Sequence, residues 1–160
     1  MKKKKIISIL VEDKFGALQR IAAVFSRRGF NMDTITVGKT EKPGLSRMTI
    51  TTFGDERTAE QIVKQLNKLI ETVKVSEIEE KNSVLREIAL IKSHVKDFGA
   101  RSEIMNYTKI FRGRVVDVGS RSIMIEITGT PSKIDAFVEL IKPFGIKELV
   151  RTGVTALSRE

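Results

Sequence analysis

Between an apolar strand-like run and an apolar helix-like run lies Glu12-Asp13-Lys14-Phe15-Gly16-Ala17-Leu18, the stretch whose residue types best suit binding. Asp13 is placed to accept hydrogen bonds from the free backbone N–H groups of the coming helix, which predicts it as the N-cap. The same geometry points unpaired N–H groups and the positive helix end at whatever lies in front of them. Gly16 would let a ligand carboxylate approach the backbone. If that ligand also carries an ammonium group, Asn31, just past the helix, offers a side-chain carbonyl and Asp13 offers charge. On the residues alone, a cap and a cap with a bound ligand both stay open.

The other reactive side chains form no constellation. With no cysteine there is no disulfide, thiolate nucleophile or Cys-based zinc site, and the single His94 cannot build a multi-histidine metal centre. His94 falls near a strand end and reads as an exposed or edge residue. Gly38-Lys39-Thr40 looks like the tail of a phosphate-binding loop, but Asp33 stands where that motif needs its first glycine. A hairpin turn, not a helix, follows it. The acid pairs Glu12-Asp13, Asp55-Glu56 and Glu79-Glu80 read as solvated charges, since neighbours on a turn or strand point apart. Arg27 and Arg28 complement the dipole of the helix they end, while Arg112, Arg114 and Arg121 could hold anions. No nucleophile, metal set or acid/base pair therefore supports an enzyme.

Composition narrows the class further. The 160 residues, 41% hydrophobic, are enough for one ordinary domain or two small ones. The Ile6–Val11 stretch is too short for a signal sequence core or a membrane span, so a soluble, cytoplasmic chain with no membrane partner is expected. The net charge of +9 owes four charges to Lys2–Lys5, a run read as solvated and mobile. One Tyr, no Trp and no aromatic strand pattern give nucleic-acid bases no stacking platform, so no nucleic-acid partner is expected.

Periodicity supplies the elements that must position the opening segment. A strand from Lys5 to Val11 is apolar on both faces and belongs at a sheet centre. Leu18, Ile21, Ala22 and Phe25 recur at helical spacing from Ala17 to Arg28, and Gly29 follows as a C-terminal cap. Met32–Lys39 and Leu45–Phe53 form a hairpin around Pro43-Gly44. Thr58 and Gln61 fit a capping box before a helix running to about Glu71, and Val73–Ile78 closes the unit. Beyond a polar linker, Glu77–Ser83, the order repeats: a strand at Leu85–Lys92 and a helix at Ala100–Phe111, then strands at Val115–Val118 and Ser122–Thr128. A helix opened by Thr130-Pro131 and a strand from Ile146 to Val150, with extended chain to Leu157, complete the second unit. The fold class is α+β, two tandem ferredoxin-like βαββαβ units, with domains 1–80 and 81–160.

The segments LVEDKFGAL, VFSRRGFNMDTITVGKTEKPGLSRMTI and KIFRGRVVDV, with the ending RTGVTALSR, resemble the small, regulatory subunit of acetolactate synthase over nearly the whole chain. The resemblance implies an N-terminal ACT domain, which binds amino acids, followed by the small subunit's own C-terminal domain, and no active site. The implied partner is the large catalytic subunit, which carries thiamine diphosphate, magnesium and FAD; this chain would carry no cofactor. The small subunit would activate that partner and confer feedback inhibition in branched-chain amino acid biosynthesis, typically by valine. The implied effector pocket lies between the ACT domains of a homodimer. Its residues would be Asp13, Phe15, Gly16, Ala17 and Leu18 at the turn, with Asn31 for the amino group and Ile35 for the side chain. Family members usually carry Asn at position 13 and often Pro at position 15. An ionised Asp only accepts hydrogen bonds where an Asn also donates, which bears on valine sensitivity. The alternative is an ACT-domain sensor acting in another complex or on nucleic acid.

Overall fold

The computed structural model describes residues 3–159. Strand β1 (Lys3–Glu12) leads into helix α1 (Ala17–Arg28), the hairpin β2 (Met32–Lys39) and β3 (Leu45–Gly54), helix α2 (Glu56–Leu66) and β4 (Thr72–Ile78). These strands form one antiparallel sheet in the order β2-β3-β1-β4. A second set repeats the pattern: β5 (Ser83–His94), α3 (Phe98–Ile110), β6 (Arg114–Val118), β7 (Ser122–Gly129), α4 (Pro131–Ile141) and β8 (Ile146–Arg151), in the order β6-β7-β5-β8. Both units are thus βαββαβ, as the alternation of periods two and 3.6 predicts. The chain divides by contacts into one unit up to Val84 and another from Leu85 to Gly153, and the residues from Val154 onward group with the first unit. There Thr36 Oγ1 donates to Val154 O at 3.0 Å, and a short strand, β9 (Thr155–Ser158), follows.

In the first unit Ile7, Ile9 and Val11 of β1 pack with Ile21, Phe25, Ile50, Ile62 and Leu66 under the two helices. The opposite face of β1 is also buried, at Ile6 and Ser8, whose partners across the ladder are Thr51 and Thr49. A central strand with two covered faces explains the apolar run. In the second unit Ile91, Ile104, Ile123, Ile125, Phe137 and Ile141 form the core.

The helix boundaries differ from the sequence expectations. Helix α2 starts earlier than the Thr58–Gln61 box implies, because Asp55 is its N-cap and accepts from both Thr58 N and Thr58 Oγ1 at 2.8 Å. A carboxylate accepts two bonds where a hydroxyl accepts more weakly, and those bonds hold the Asp55 carboxyl below its usual range. The helix also stops at Leu66, not near Glu71, where Lys68 N and Leu69 N turn back to Gln65 O and Leu66 O. Helix α3 begins at Phe98 for a similar reason, with Asp97 accepting from Ala100 N at 2.7 Å.

The lysine run is not simply solvated. Lys2 lies outside the described residues; Lys4 pairs with Asp33 at 3.2 Å, and Lys5 is buried, bonded to Glu56 and, at 2.9 Å, to Glu77. The bond to Glu56 is the largest cause raising the Lys5 ammonium above its ordinary 10.5, against the opposing effect of burial. A raised amine stabilises the fold fully below its unfolded value, and that contribution disappears as pH climbs through the folded one. Wild-type protein is therefore expected to lose stability relative to Lys5→Met above about pH 10.5 and to hold a constant difference from there down to neutral pH, measured by urea unfolding followed by circular dichroism.

Candidate functional site

Strand β1 ends with Glu12 N donating to Glu71 O and Asp13 N to Gly44 O, both at 2.8 Å. The chain then tightens: Lys14 N returns to Glu12 O, and Ala17 N to Lys14 O at 3.2 Å. Helix α1 is not capped by Asp13. Gly16 occupies the N-cap position in the left-handed region, with φ 82°, and no side chain caps the helix. Asp13 is exposed and lies too early in the turn. The signal that distinguishes the two was present in Gly16 itself, because glycine is an accepted N-cap that leaves donors uncovered. Arg20 N bonds Gly16 O at 3.0 Å, while the N–H groups of Leu18 and Gln19 meet no acceptor among the described residues. Helices leave their first N–H groups without an internal partner, so this turn presents donors to solvent.

Sequence reasoning missed Arg20. Helical side chains tilt toward the N-terminus, which lays a long side chain four residues in over the turn before it. The Arg20 guanidinium accordingly lies 3.6–3.7 Å from where a Cβ on Gly16 would stand, and Nη2 pairs with Glu71 Oε1 at 2.6 Å. A cation thus accompanies the open helix end.

The other expected residues do not gather in one place. Phe15 is fully exposed and Leu18 half-exposed beside the turn, whereas the Ala17 methyl is buried in the core and its N–H is already bonded to Lys14 O. Asn31 and Ile35 do not join them. Helix α1 has 12 residues and so spans about 18 Å, and Asn31 lies beyond its far end, where Asn31 O accepts from Thr52 Oγ1. Thr52 stands opposite Lys5, seven residues before Glu12 along β1, so the strand separates Asn31 from the Asp13 turn by about 23 Å. One chain does not bring Asn31 to Gly16. Ile35 is exposed on the edge strand β2, next to Val37.

A family described as the small subunit of acetolactate synthase matches residues 86–160, and one described as an AHAS small subunit-like ACT domain matches residues 7–74. A probable acetolactate synthase small subunit from Methanothermobacter thermautotrophicus is 56% identical over 154 residues, covering 96% of this chain and 92% of that protein. The chain belongs to the acetolactate synthase small-subunit family. The acetolactate synthase small subunit of Aquifex aeolicus is 48% identical, covering 99% of this chain and 82% of its own length. The crystal structure of the small subunit from Thermotoga maritima superposes with a TM-score of 0.92 at 44% identity, covering 99% of this chain and 98% of that one.

The motifs that carry the family likeness have structural reasons in this small subunit. In FSRRGFN, Gly29 ends α1 at φ 67°. In IFRGRVVDV, Phe111 packs at a tilt against Phe137 with ring centres 5.3 Å apart, Arg112 takes a positive φ of 55°, and Gly113 passes so close to Glu126 O that a Cβ would stand 3.0 Å from it. Among the described residues no group of three or more His, Cys, Asp or Glu could hold a metal, and no helix is long and apolar enough to cross a membrane. His94 is exposed at the end of β5.

Proposed function

We propose that the chain is a non-catalytic, cytoplasmic regulatory subunit. It activates the large subunit of acetolactate synthase and makes it subject to feedback inhibition by a branched-chain amino acid, valine first among the candidates. Thiamine diphosphate, magnesium and FAD belong to the large subunit in this reading. The observation that carries it is the open N-terminus of α1, where Gly16, the free N–H groups and Arg20 together suit a carboxylate.

The effector site is shared by two copies. Strand β2 is an edge strand with Ile35 and Val37 exposed, and such an edge favours pairing with a second copy. Strands β1 and β2 both pair antiparallel with β3, so they run in the same direction. An antiparallel pairing of β2 with its copy, centred near Ile35, sets Asn31 of the partner subunit beside Lys39. Lys39 is level with the Val11 end of β1, through Ser46. The separation of about 23 Å within one chain thereby becomes proximity between two. Asp13 and Asn31 of the partner subunit then face the effector's ammonium, while Phe15, Leu18 and Ile35 flank its side chain.

The test is to titrate the chain into the large subunit and assay acetolactate formation with and without valine. The expected outcome is a higher rate on addition and loss of that gain with valine. An unchanged rate in both conditions overturns the reading.

A further inference from the structure

Between the last turns of α1 and the end of α2 lies a concavity of about 220 Å³ lined by Val24, Arg27, Arg28, Gln65, Lys68 and Leu69. Cations at helix ends ordinarily serve the last carbonyls. Here the backbone already does so: Gly29 N bonds Ser26 O, Phe30 N bonds Phe25 O at 2.9 Å, Asn67 N bonds Val63 O at 3.0 Å, and Lys68 N bonds Gln65 O. Only Arg27 uses a side-chain donor on its helix, from Nε to Ala23 O at 3.4 Å. Among the described residues no carboxylate pairs with Arg27, Arg28 or Lys68, and all three line the same hollow. Three like charges around one hollow repel each other, and an anionic occupant relieves that repulsion.

Size and lining select the occupant. Whole small-molecule ligands take pockets of about 300–1,000 Å³, so this hollow suits side chains from a protein surface better than a cofactor. No aromatic ring lines it, which leaves nucleic-acid bases nothing to stack on. We infer that this hollow between the two helices of the ACT unit docks an acidic segment of the catalytic large subunit, whose carboxylates pair with Arg28 and Lys68 while their stems rest on Val24 and Leu69. The inference rests on the regulatory-subunit reading above and adds to it a surface lined by none of the residues of the effector turn.

The experiment measures affinity for the large subunit across a sodium chloride series, for wild type, Arg28→Gln/Lys68→Gln and Arg28→Glu/Lys68→Glu. Circular dichroism and calorimetry with valine serve as controls. Wild type should bind less tightly as salt rises. The neutral pair should bind less tightly with a shallower salt dependence, and the reversed pair on the order of a hundredfold less tightly, with effector affinity unchanged. A folded reversed pair that binds as wild type does overturns the docking surface while leaving the regulatory reading intact. Wild type that fails to bind the large subunit at all overturns both. Loss of single-stranded DNA binding in the reversed pair, with large-subunit affinity retained, assigns the patch to nucleic acid and overturns the proposal.

Discussion

Gly16→Asp is expected to abolish effector binding, with no heat from valine, leucine or isoleucine in calorimetry at concentrations that saturate wild type. Two effects act together. At φ 82° an L side chain adds strain of about 1–2 kcal/mol, and the new carboxylate lands beside the Arg20 guanidinium, 3.6 Å from the Cβ position. It can then pair with Arg20 and occupy the front of α1, where the ligand carboxylate would otherwise sit. Each charged hydrogen bond so displaced is worth about 1.5–3 kcal/mol, and losing two lowers affinity by two orders of magnitude or more. Gly16→Ala carries the strain without the charge and should retain measurable, weakened binding. Asp13→Asn separates the remaining question, because Asp13 caps nothing: stability should stay at the wild-type level, and any change in affinity then reports on ligand contact alone. Wild-type affinity in folded Gly16→Asp would place the effector elsewhere.

The order of elements was legible because each carries its own period: the two-faced apolar run of β1, the helical spacing of Leu18, Ile21 and Phe25, and the Pro43-Gly44 turn all act within a few residues. Cap positions were less so. Asp13, Asp55 and Thr58 are all competent caps, and only the backbone path from the preceding strand decides which one meets free N–H groups. For α1 the answer is none of them, since glycine holds the position. Arg20 escaped notice for another reason: its partner Glu71 is 51 residues away, and sequence spacing does not report a contact made through the sheet. Asn31 shows the limit of a single chain. Its residue type suits an ammonium ligand, yet its place at the far end of α1 makes sense as a ligand only when a second copy is present. Glu87 went unread as well: it alternates with Leu85, Ala89 and Ile91 on the buried side of β5, and its counter-charge lies in a different strand.

That counter-charge predicts the largest stability effect. Glu87 is only 3% exposed and accepts two bonds from Arg151 of β8, from Nε and Nη2, both at 2.8 Å. Arg151 also reaches Asp135 of α4 at 2.6 Å, so one guanidinium joins a central strand, an edge strand and a helix. The bond to Glu87 is the largest cause raising the Arg151 guanidinium above its usual range, and it stays charged at every pH the fold survives. Arg151→Met strands a buried carboxylate, and removing one partner of such a pair costs about 3–5 kcal/mol. Glu87→Leu/Arg151→Met removes both charges and should recover most of that loss, since a well-packed apolar pair commonly matches a buried ionic one. Tyr107, the only tyrosine in a chain without tryptophan, lies in the same unit against Phe144, so its fluorescence reports unfolding there directly. A single variant as stable as wild type by that signal would mean that water solvates the stranded Glu87 carboxylate; a double variant no better than the single would mean that the side-chain volumes, not the charges, hold β5, β8 and α4 together.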